Sequence, residues 1–225
     1  MDEVRTSNNL IKRKLIHDAV LMCSGNKQVL DVGCGFGGDL KKWQHAGVRC
    51  LDMCDPDATS LREAESRAQS IGMKPKFFHG DINSCPLKKY DIICFNFSLH
   101  YIYASAELFF RSISGIKKRL KIGGKLIGCI PDSESILEYT PFSDELGNKF
   151  LRKDGSGYGE FEEKLFVHLA DTPFYKDGMR SEPICYKDIL ITHLEKKGVK
   201  LVFWERFPIE HEIQKFYSTF IFVNQ

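Results

Sequence analysis

The chain has 225 residues, with 32 Lys plus Arg against 30 Asp plus Glu and a formal net charge of +2. That length suits one large domain or two small ones. The near-neutral balance neither requires nor excludes a nucleic-acid partner, so any basic surface must be local.

Apolar spacing predicts a helix from about Val4 to Cys23, with Leu10, Leu15, Ala19 and Met22 in its repeat and Ser24-Gly25-Asn26 ending it. Gln28 to Val32 reads as a short strand, Gly33 to Gly38 as a glycine-rich turn and Asp39 to Ala46 as the next helix. Val48 to Cys54 is a second strand; Asp57 to Ile71 is helical, with Asp57 as N-cap and Gly72 as stop. Lys76 to His79 and Tyr90 to Phe95 are the third and fourth strands, the latter apolar enough for the centre of a parallel sheet. Ala104 to Leu120 is predicted helical, and Lys125 to Ile130 is a fifth strand. This alternation predicts an α/β chain with a Rossmann-like, mostly parallel doubly wound sheet. About residues 140–175 the alternation lapses, and an irregular or antiparallel insertion is expected. A helix at Lys187 to Lys197 follows, then strands Lys200 to Arg206 and Phe216 to Val223, placed antiparallel at the sheet edge. No linker divides the chain, so residues 1–225 are expected to form a single domain, whole or cut from a longer protein.

The polar stretch MDEVRTSNNLIKRKL lacks the apolar run of a signal peptide, and no run reaches the ~18 apolar residues of a membrane span, so no membrane partner is expected. Eight cysteines include no CxxC pair and no Cys/His cluster at zinc-finger spacing. No metal site is expected, and a reducing, intracellular setting is the simplest.

The turn Asp31-Val32-Gly33-Cys34-Gly35-Phe36-Gly37-Gly38-Asp39 follows a strand and opens a helix, and its glycines let a ligand lie against bare backbone. Asp55, about 20 residues on, stands where Rossmann folds place a ribose-binding acid. An acid directly before the glycines, as Asp31 is, would repel a pyrophosphate and suits the ammonium of S-adenosylmethionine instead. Asp81, after the third strand, is placed for an adenine amino group. Three carboxylates at three successive strand ends argue against a turn that holds no ligand.

Four segments extend the pattern. Asn8-Asn9-Leu10-Ile11-Lys12, the glycine motif LDVGCGFGGDLKKW (Leu30 to Trp43), Asn96-Phe97-Ser98-Leu99-His100-Tyr101, and Glu182 to Val202 together resemble the messenger RNA cap guanine-N7 methyltransferases, including the methyltransferase domains of capping enzymes from large DNA viruses. The resemblance spans nearly the whole chain. It implies methyl transfer from S-adenosyl-L-methionine to N7 of the 5′ cap guanosine, with Lys12, Asp31, Gly33, Gly35, Asp55, Asp81 and Asn96 on the cofactor and Lys12 at the methionine carboxylate. It implies a guanine pocket of Phe97, His100, Tyr101, Pro131, Glu182 and Tyr217, with Arg67 at the cap phosphates. Phe36 replaces a phosphate-binding Lys of the family, which implies weaker triphosphate contacts. Capped RNA is the implied partner, with other capping-enzyme domains or a regulatory subunit beside it. The implied location is the host cytoplasm or virion for a viral protein and the nucleus for a cellular one.

No catalytic acid or base is implied, because guanine N7 carries a lone pair and no proton; positioning and electrostatics suffice. A Glu matches the N1–H and N2–H₂ donors of guanine, His can donate to O6, and aromatic rings can wall the base. Taken singly, His100 and Phe97 would be core residues, Glu182 a solvated charge, Tyr217 a packing residue and Arg67 part of a solvated helix face. Two other functions stay open: methylation of another RNA or a small molecule, and a catalytically silent module supporting a partner enzyme.

Overall fold

The computed structural model describes residues 2–152, 161, 163–170, 172 and 175–225. Helix α1 (Asp2–Leu21) buries Leu15, Ile16, Ala19 and Val20. Leu10 and Met22, part of the same predicted repeat, are 55% and 51% exposed, so the buried face is narrower than expected.

The central sheet contains β1 (Gln28–Val32), β2 (Cys50–Asp55), β3 (Lys76–His79), β4 (Tyr90–Asn96), β5 (Leu120–Pro131), β10 (Val199–Arg206) and β11 (Tyr217–Asn224), in the order β10-β11-β5-β4-β1-β2-β3. Strands β1 to β5 pair in parallel, while β11 runs antiparallel to both β5 and β10. The fold is therefore the expected Rossmann-like one, with the expected antiparallel C-terminal edge. The central strands are apolar because both faces are covered. Along β4, Ile92 and Cys94 enter one core with Ile16, Trp43 and Met53, and Ile93 and Phe95 enter the other with Leu30, Phe109 and Phe220.

Helices α2 (Leu40–His45), α3 (Ala58–Ser70) and α4 (Ala106–Arg119) make the crossovers. Asp57 caps α3 as expected, accepting from the amides of Thr59 and Ser60 at 2.7 and 3.2 Å. The predicted helix from Ala104 to Leu120 is corrected at both ends. Ala104 closes a separate 3-10 segment, Leu99–Ala104, and Ser105 caps α4 by accepting from Leu108 N at 3.2 Å. Leu120 already pairs with Tyr90, and the ladder shifts register before Ile92 pairs with Lys125. The Gly123-Gly124 pair is thus a bulge inside β5, not a break before it.

The expected insertion contains a second, antiparallel sheet: β6 (Phe142–Ser143), β7 (Lys149–Arg152), β8 (Lys164–His168) and β9 (Arg180–Pro183). It continues past residue 175 to Pro183, and helix α5 (Ser133–Tyr139) leads into it. Residues 153–160, 162, 171, 173 and 174 of the predicted insertion lie outside the described residues. Phe150, Leu165 and Val167 join Phe216 and Tyr217 in one core, which fixes this sheet against the central one. Helix α6 (Lys187–Glu195) returns the chain to β10.

Candidate active site

The carboxyl ends of β1, β2 and β4 carry the first cluster. Gly33 has φ +71°, and a Cβ there would lie 2.3 Å from Ser98 Cβ. Ser98 Oγ donates to Val32 O at 2.6 Å, so the loop after β4 crosses directly over this turn and only glycine fits beneath it. Gly35 N donates to Asp55 Oδ2 at 2.8 Å and Asp57 N to Oδ1 at 2.9 Å. Asp55 therefore sets the shape of the glycine turn. Burial raises its pKa against these two amide bonds.

Asp31 is buried in β1 and accepts from Trp43 Nε1 at 2.9 Å. Asp39, the N-cap residue of α2 and also buried, binds the ammonium groups of Lys12 and Lys42 through Oδ1 at 2.8 and 2.7 Å, and accepts from Asn96 Nδ2 through Oδ2 at 2.8 Å. Sequence reasoning did not select Asp39. Its only signal was its place at the end of the glycine motif. The Lys12 ammonium, expected to face a ligand carboxylate directly, is paired with this acid. Burial works against the Asp39 charge, and the two lysines more than offset it, holding its carboxyl well below the ordinary range. Burial, then the charge of Asp39, pushes Asp31 up to about 7.

This arrangement fits the methionine end of S-adenosylmethionine. Two ammonium groups converge on one carboxylate, leaving positive charge for a ligand carboxylate. Asp31 has an indole rather than a cation as its hydrogen-bond partner, which suits a ligand ammonium. Among the described residues Asn96 Oδ1 is buried without a hydrogen-bond partner, an acceptor open to a ligand donor. Asp81 caps the 3-10 turn Ile82–Ser84, accepting from Asn83 N at 2.8 Å, and pairs with Arg111 at 2.6 Å.

The second cluster lies beyond Phe97. That residue has φ 57°, a left-handed conformation uncommon for a bulky side chain, and its amide donates to Cys129 O at 2.7 Å. The ring meets Tyr217 edge-on at 5.2 Å between centroids, with Lys12 Nζ 5.8 Å from its centre, so it joins the two clusters. Glu182, in β9, is 7% exposed. Tyr101 donates to its Oε1 at 3.2 Å, Tyr175 donates to the same oxygen, and His100 Nε2 lies 3.2 Å from Oε2. Burial raises the Glu182 pKa, but His100 and the two phenols outweigh it and keep the carboxyl below its ordinary range. His100 is 2% exposed, and among the described residues neither ring nitrogen makes an aligned hydrogen bond. Pro131 and Tyr217 pair at the ends of β5 and β11. Phe97, His100, Tyr101, Glu182 and Tyr217 are thus brought together, with Pro131 beside Tyr217. Tyr175 was missed, since the irregular segment before Glu182 has no periodicity to place it. Arg67 is apart from this group. It pairs with Glu63 at 2.8 Å and sits 5.9 Å from the Phe36 ring centre.

Comparison with known proteins agrees with this picture. The family described as mRNA (guanine-N(7))-methyltransferase domain matches residues 2–166. The mRNA cap guanine-N(7) methyltransferase of Caenorhabditis elegans is 35% identical over 155 residues, covering 60% of this chain and 40% of that protein. The protein of the same name from Cryptococcus neoformans (strain JEC21) is 31% identical over 229 residues, covering 92% of this chain and 36% of its own length. The chain thus spans less than half of either relative. Both are cellular eukaryotic proteins, which gives no support to a viral source or a virion location. Among solved structures, an S-adenosylmethionine-dependent methyltransferase from Clostridium acetobutylicum superposes with a TM-score of 0.64 at 19% identity over 99% of this chain and 97% of that one. That likeness concerns the fold. The family match takes in β1 to β7 and the start of β8, with the glycine turn, Asp39 and the Phe97 loop, and on it the chain belongs to the mRNA (guanine-N(7))-methyltransferase domain family.

Proposed function

We propose that residues 1–225 act as one unit that transfers the methyl group of S-adenosylmethionine to N7 of the 5′ cap guanosine of RNA. The observation that carries this is the buried, ionised Glu182, ringed by His100, Tyr101 and Tyr175 and joined to the Asp31–Asp39 cluster through Phe97. A buried carboxylate ringed by aromatic side chains matches the adjacent N1–H and N2–H₂ donors of guanine. His100 Nδ1, which makes no hydrogen bond among the described residues, would supply a donor for O6. When bound, S-adenosylmethionine supplies an electrophilic methyl group. Asp31 and Asn96 would hold its ammonium, Lys12 its carboxylate and Asp55 its ribose, while Asp81 would face the adenine. Phe97 and Tyr217 exclude water and fix the angle between the two halves. No side chain needs to move a proton, because N7 has none to lose. Capped RNA is the substrate in this proposal, and other capping-enzyme domains or a regulatory subunit are its further partners.

The test is to incubate the chain with radiolabelled S-adenosylmethionine and capped or uncapped RNA of one sequence, digest, and locate the label. Label in 7-methylguanosine from capped RNA alone is the expected result. Label on uncapped RNA, or at any other atom, overturns the proposal.

A further inference from the structure

The two clusters of the candidate site lie at the carboxyl ends of the parallel strands. The amino ends of the same strands carry a band of cations that neither cluster uses. We propose that this band is an RNA-backbone surface, which holds phosphates of the transcript well downstream of the cap without regard to base sequence. This rests on the reading of the substrate as capped RNA.

Segments 85–90, 117–124 and 195–200 lie at the starts of β4, β5 and β10, and together they hold nine basic residues and one acid, Glu195. They are contiguous in space. The buried Arg119 ties the first two, donating to Cys85 O at 2.7 Å and to Asn83 O at 3.3 Å. The last two meet at Gln225, whose amide donates to Gly198 O at 2.8 Å and whose carbonyl accepts from Lys117 Nζ at 3.5 Å. The sheet register agrees, pairing Tyr90 with Leu120, Lys125 with Val223 and Asn224 with Val199. Asp52 takes Lys88 and Asp91 takes Lys121, each at 2.9 Å. Lys89, Lys118, Lys196, Lys197 and Lys200 are exposed and enter no ion pair among the described residues. Arg49, Lys74 and Lys76, also exposed, continue the band along β2 and β3. Across the seven-stranded sheet the band runs roughly 30 Å, at about 4.8 Å per strand spacing.

A helix C-terminus attracts cations by itself. That accounts for Lys117 and Lys118 in the last turn of α4 and for Lys196 at the end of α6. Lys74, Lys89 and Lys200 stand outside the helices and need another reason. The whole chain carries a net charge of only +2, so the band is a local excess. It is almost entirely lysine, a compact point charge that lacks the planar fork of arginine. Such charges meet phosphate and leave base edges unread, which suits an enzyme whose substrates share a cap and differ in every base beyond it. Between the band and Asn96 lies the length of β4, seven residues or roughly 20 Å at about 3.3 Å each. The band therefore serves RNA that is long enough to pass along the molecule, and not the cap dinucleotide.

Fluorescence anisotropy with uncapped RNAs of about 20 nucleotides tests this without turnover, on the wild-type chain and on the triple variant K118Q/K197Q/K200Q across a salt series. An uncapped probe leaves the pocket around Glu182 out of the measurement. Wild type should bind two unrelated sequences alike. The triple variant should bind about a hundredfold more weakly at 0.1 M salt, with a log–log salt slope shallower by about two, as three phosphate contacts at ~0.7 each require. Its melting temperature and S-adenosylmethionine Kd should match wild type, because no substituted lysine touches either cluster. Wild-type RNA affinity and slope in the triple variant would overturn the proposal. So would tighter binding of polyglutamate than of RNA of equal charge, which would make the band a docking surface for acidic protein. If RNA binding behaves as stated but no methyl reaches N7 of a cap, the surface stands and the proposed reaction fails.

Discussion

Burial and the charge of Asp39 push the Asp31 carboxyl up to about 7, so near neutral pH a sizeable share of ligand-free chains hold it protonated. Its ordinary value is 3.8, so the folded chain binds this proton more tightly than the unfolded one. The sign of the linkage follows: stability of the ligand-free fold falls as pH rises from about 4 to 7 and stays reduced above that. Ligand binding has the opposite demand, because only the carboxylate attracts an ammonium. S-adenosylmethionine affinity should therefore rise between pH 6 and 8 and level off above the Asp31 pKa. Asp31→Asn should abolish that binding while raising the ligand-free melting temperature at pH 8, by an effect of a few kcal/mol at about 1.4 kcal/mol per pKa unit. Melting curves without ligand and cofactor titrations across pH check both. A variant that lost binding and stability together would show that Asp31 is structural.

Glu182 makes the complementary case. Its carboxyl is held low, so the stability it contributes is present above its ordinary 4.5 and lost as pH falls below that. Glu182→Ala and Glu182→Gln should each lower methylation of capped RNA by a hundredfold or so, since a site built to pair polar groups loses heavily when pairing fails. Cofactor affinity should stay within about twofold, the variation expected of a site whose contacts are intact. Parallel assays of cap methylation and cofactor binding decide this, and full activity in Glu182→Ala would remove that residue from the pocket.

At the scale of elements, the strands and the glycine turn were legible because each is a local pattern. Apolar runs bounded by Gly and Asp mark β1, β2 and β4, and the motif residues sit at their ends. What was not legible depends on partners distant in sequence. Asp39 reads as an ordinary helix start, and its role appears only when α1 brings Lys12 and β4 brings Asn96 to it. The bulge at Gly123 reads as a break because the pairing of Leu120 with Tyr90 is a tertiary fact. Tyr175 acquires meaning only when β9 folds back against the segment Leu99–Ala104. Gly33 shows the reverse: its type was read as making room for a ligand, yet the closest atom it accommodates belongs to Ser98. Gly33→Ala should accordingly destabilise the fold by roughly 2–4 kcal/mol, combining a positive-φ penalty with a backbone-level clash. Adding Ser98→Gly removes the obstructing Cβ and should recover part of that loss. Urea titrations of the two variants measure it, and no recovery in the double variant would place the whole cost in the backbone angle.

Across the whole molecule, the chemistry is divided between two sheets. The central sheet supplies Asp31 and Asn96, the segments after its strands supply Asp39, Phe97 and His100, and the small antiparallel sheet supplies Glu182. The register between them is set by a packed aromatic seam, in which Phe150 of β7 stacks on Phe216 at 4.5 Å with planes 6° apart and meets Tyr217 edge-on at 6.2 Å. Phe150 is 1% exposed and touches no residue of the Asp31–Asp39 cluster through these rings. Loosening the seam should therefore let Glu182 drift from His100 and Tyr217 while leaving the glycine turn in place. Phe150→Ala should cost about 3–5 kcal/mol of stability, the usual range for truncating a buried Phe, and that variant is at risk of unfolding. Phe150→Leu keeps most of the volume and isolates the functional effect. Its KM for capped RNA should rise several-fold, because a displacement of about 1 Å in a positioning site is costly, while its S-adenosylmethionine Kd stays at the wild-type value. Equal losses in both constants would mean that the two sheets form one cooperative site, with the seam supporting the Asp31–Asp39 cluster as much as the residues around Glu182.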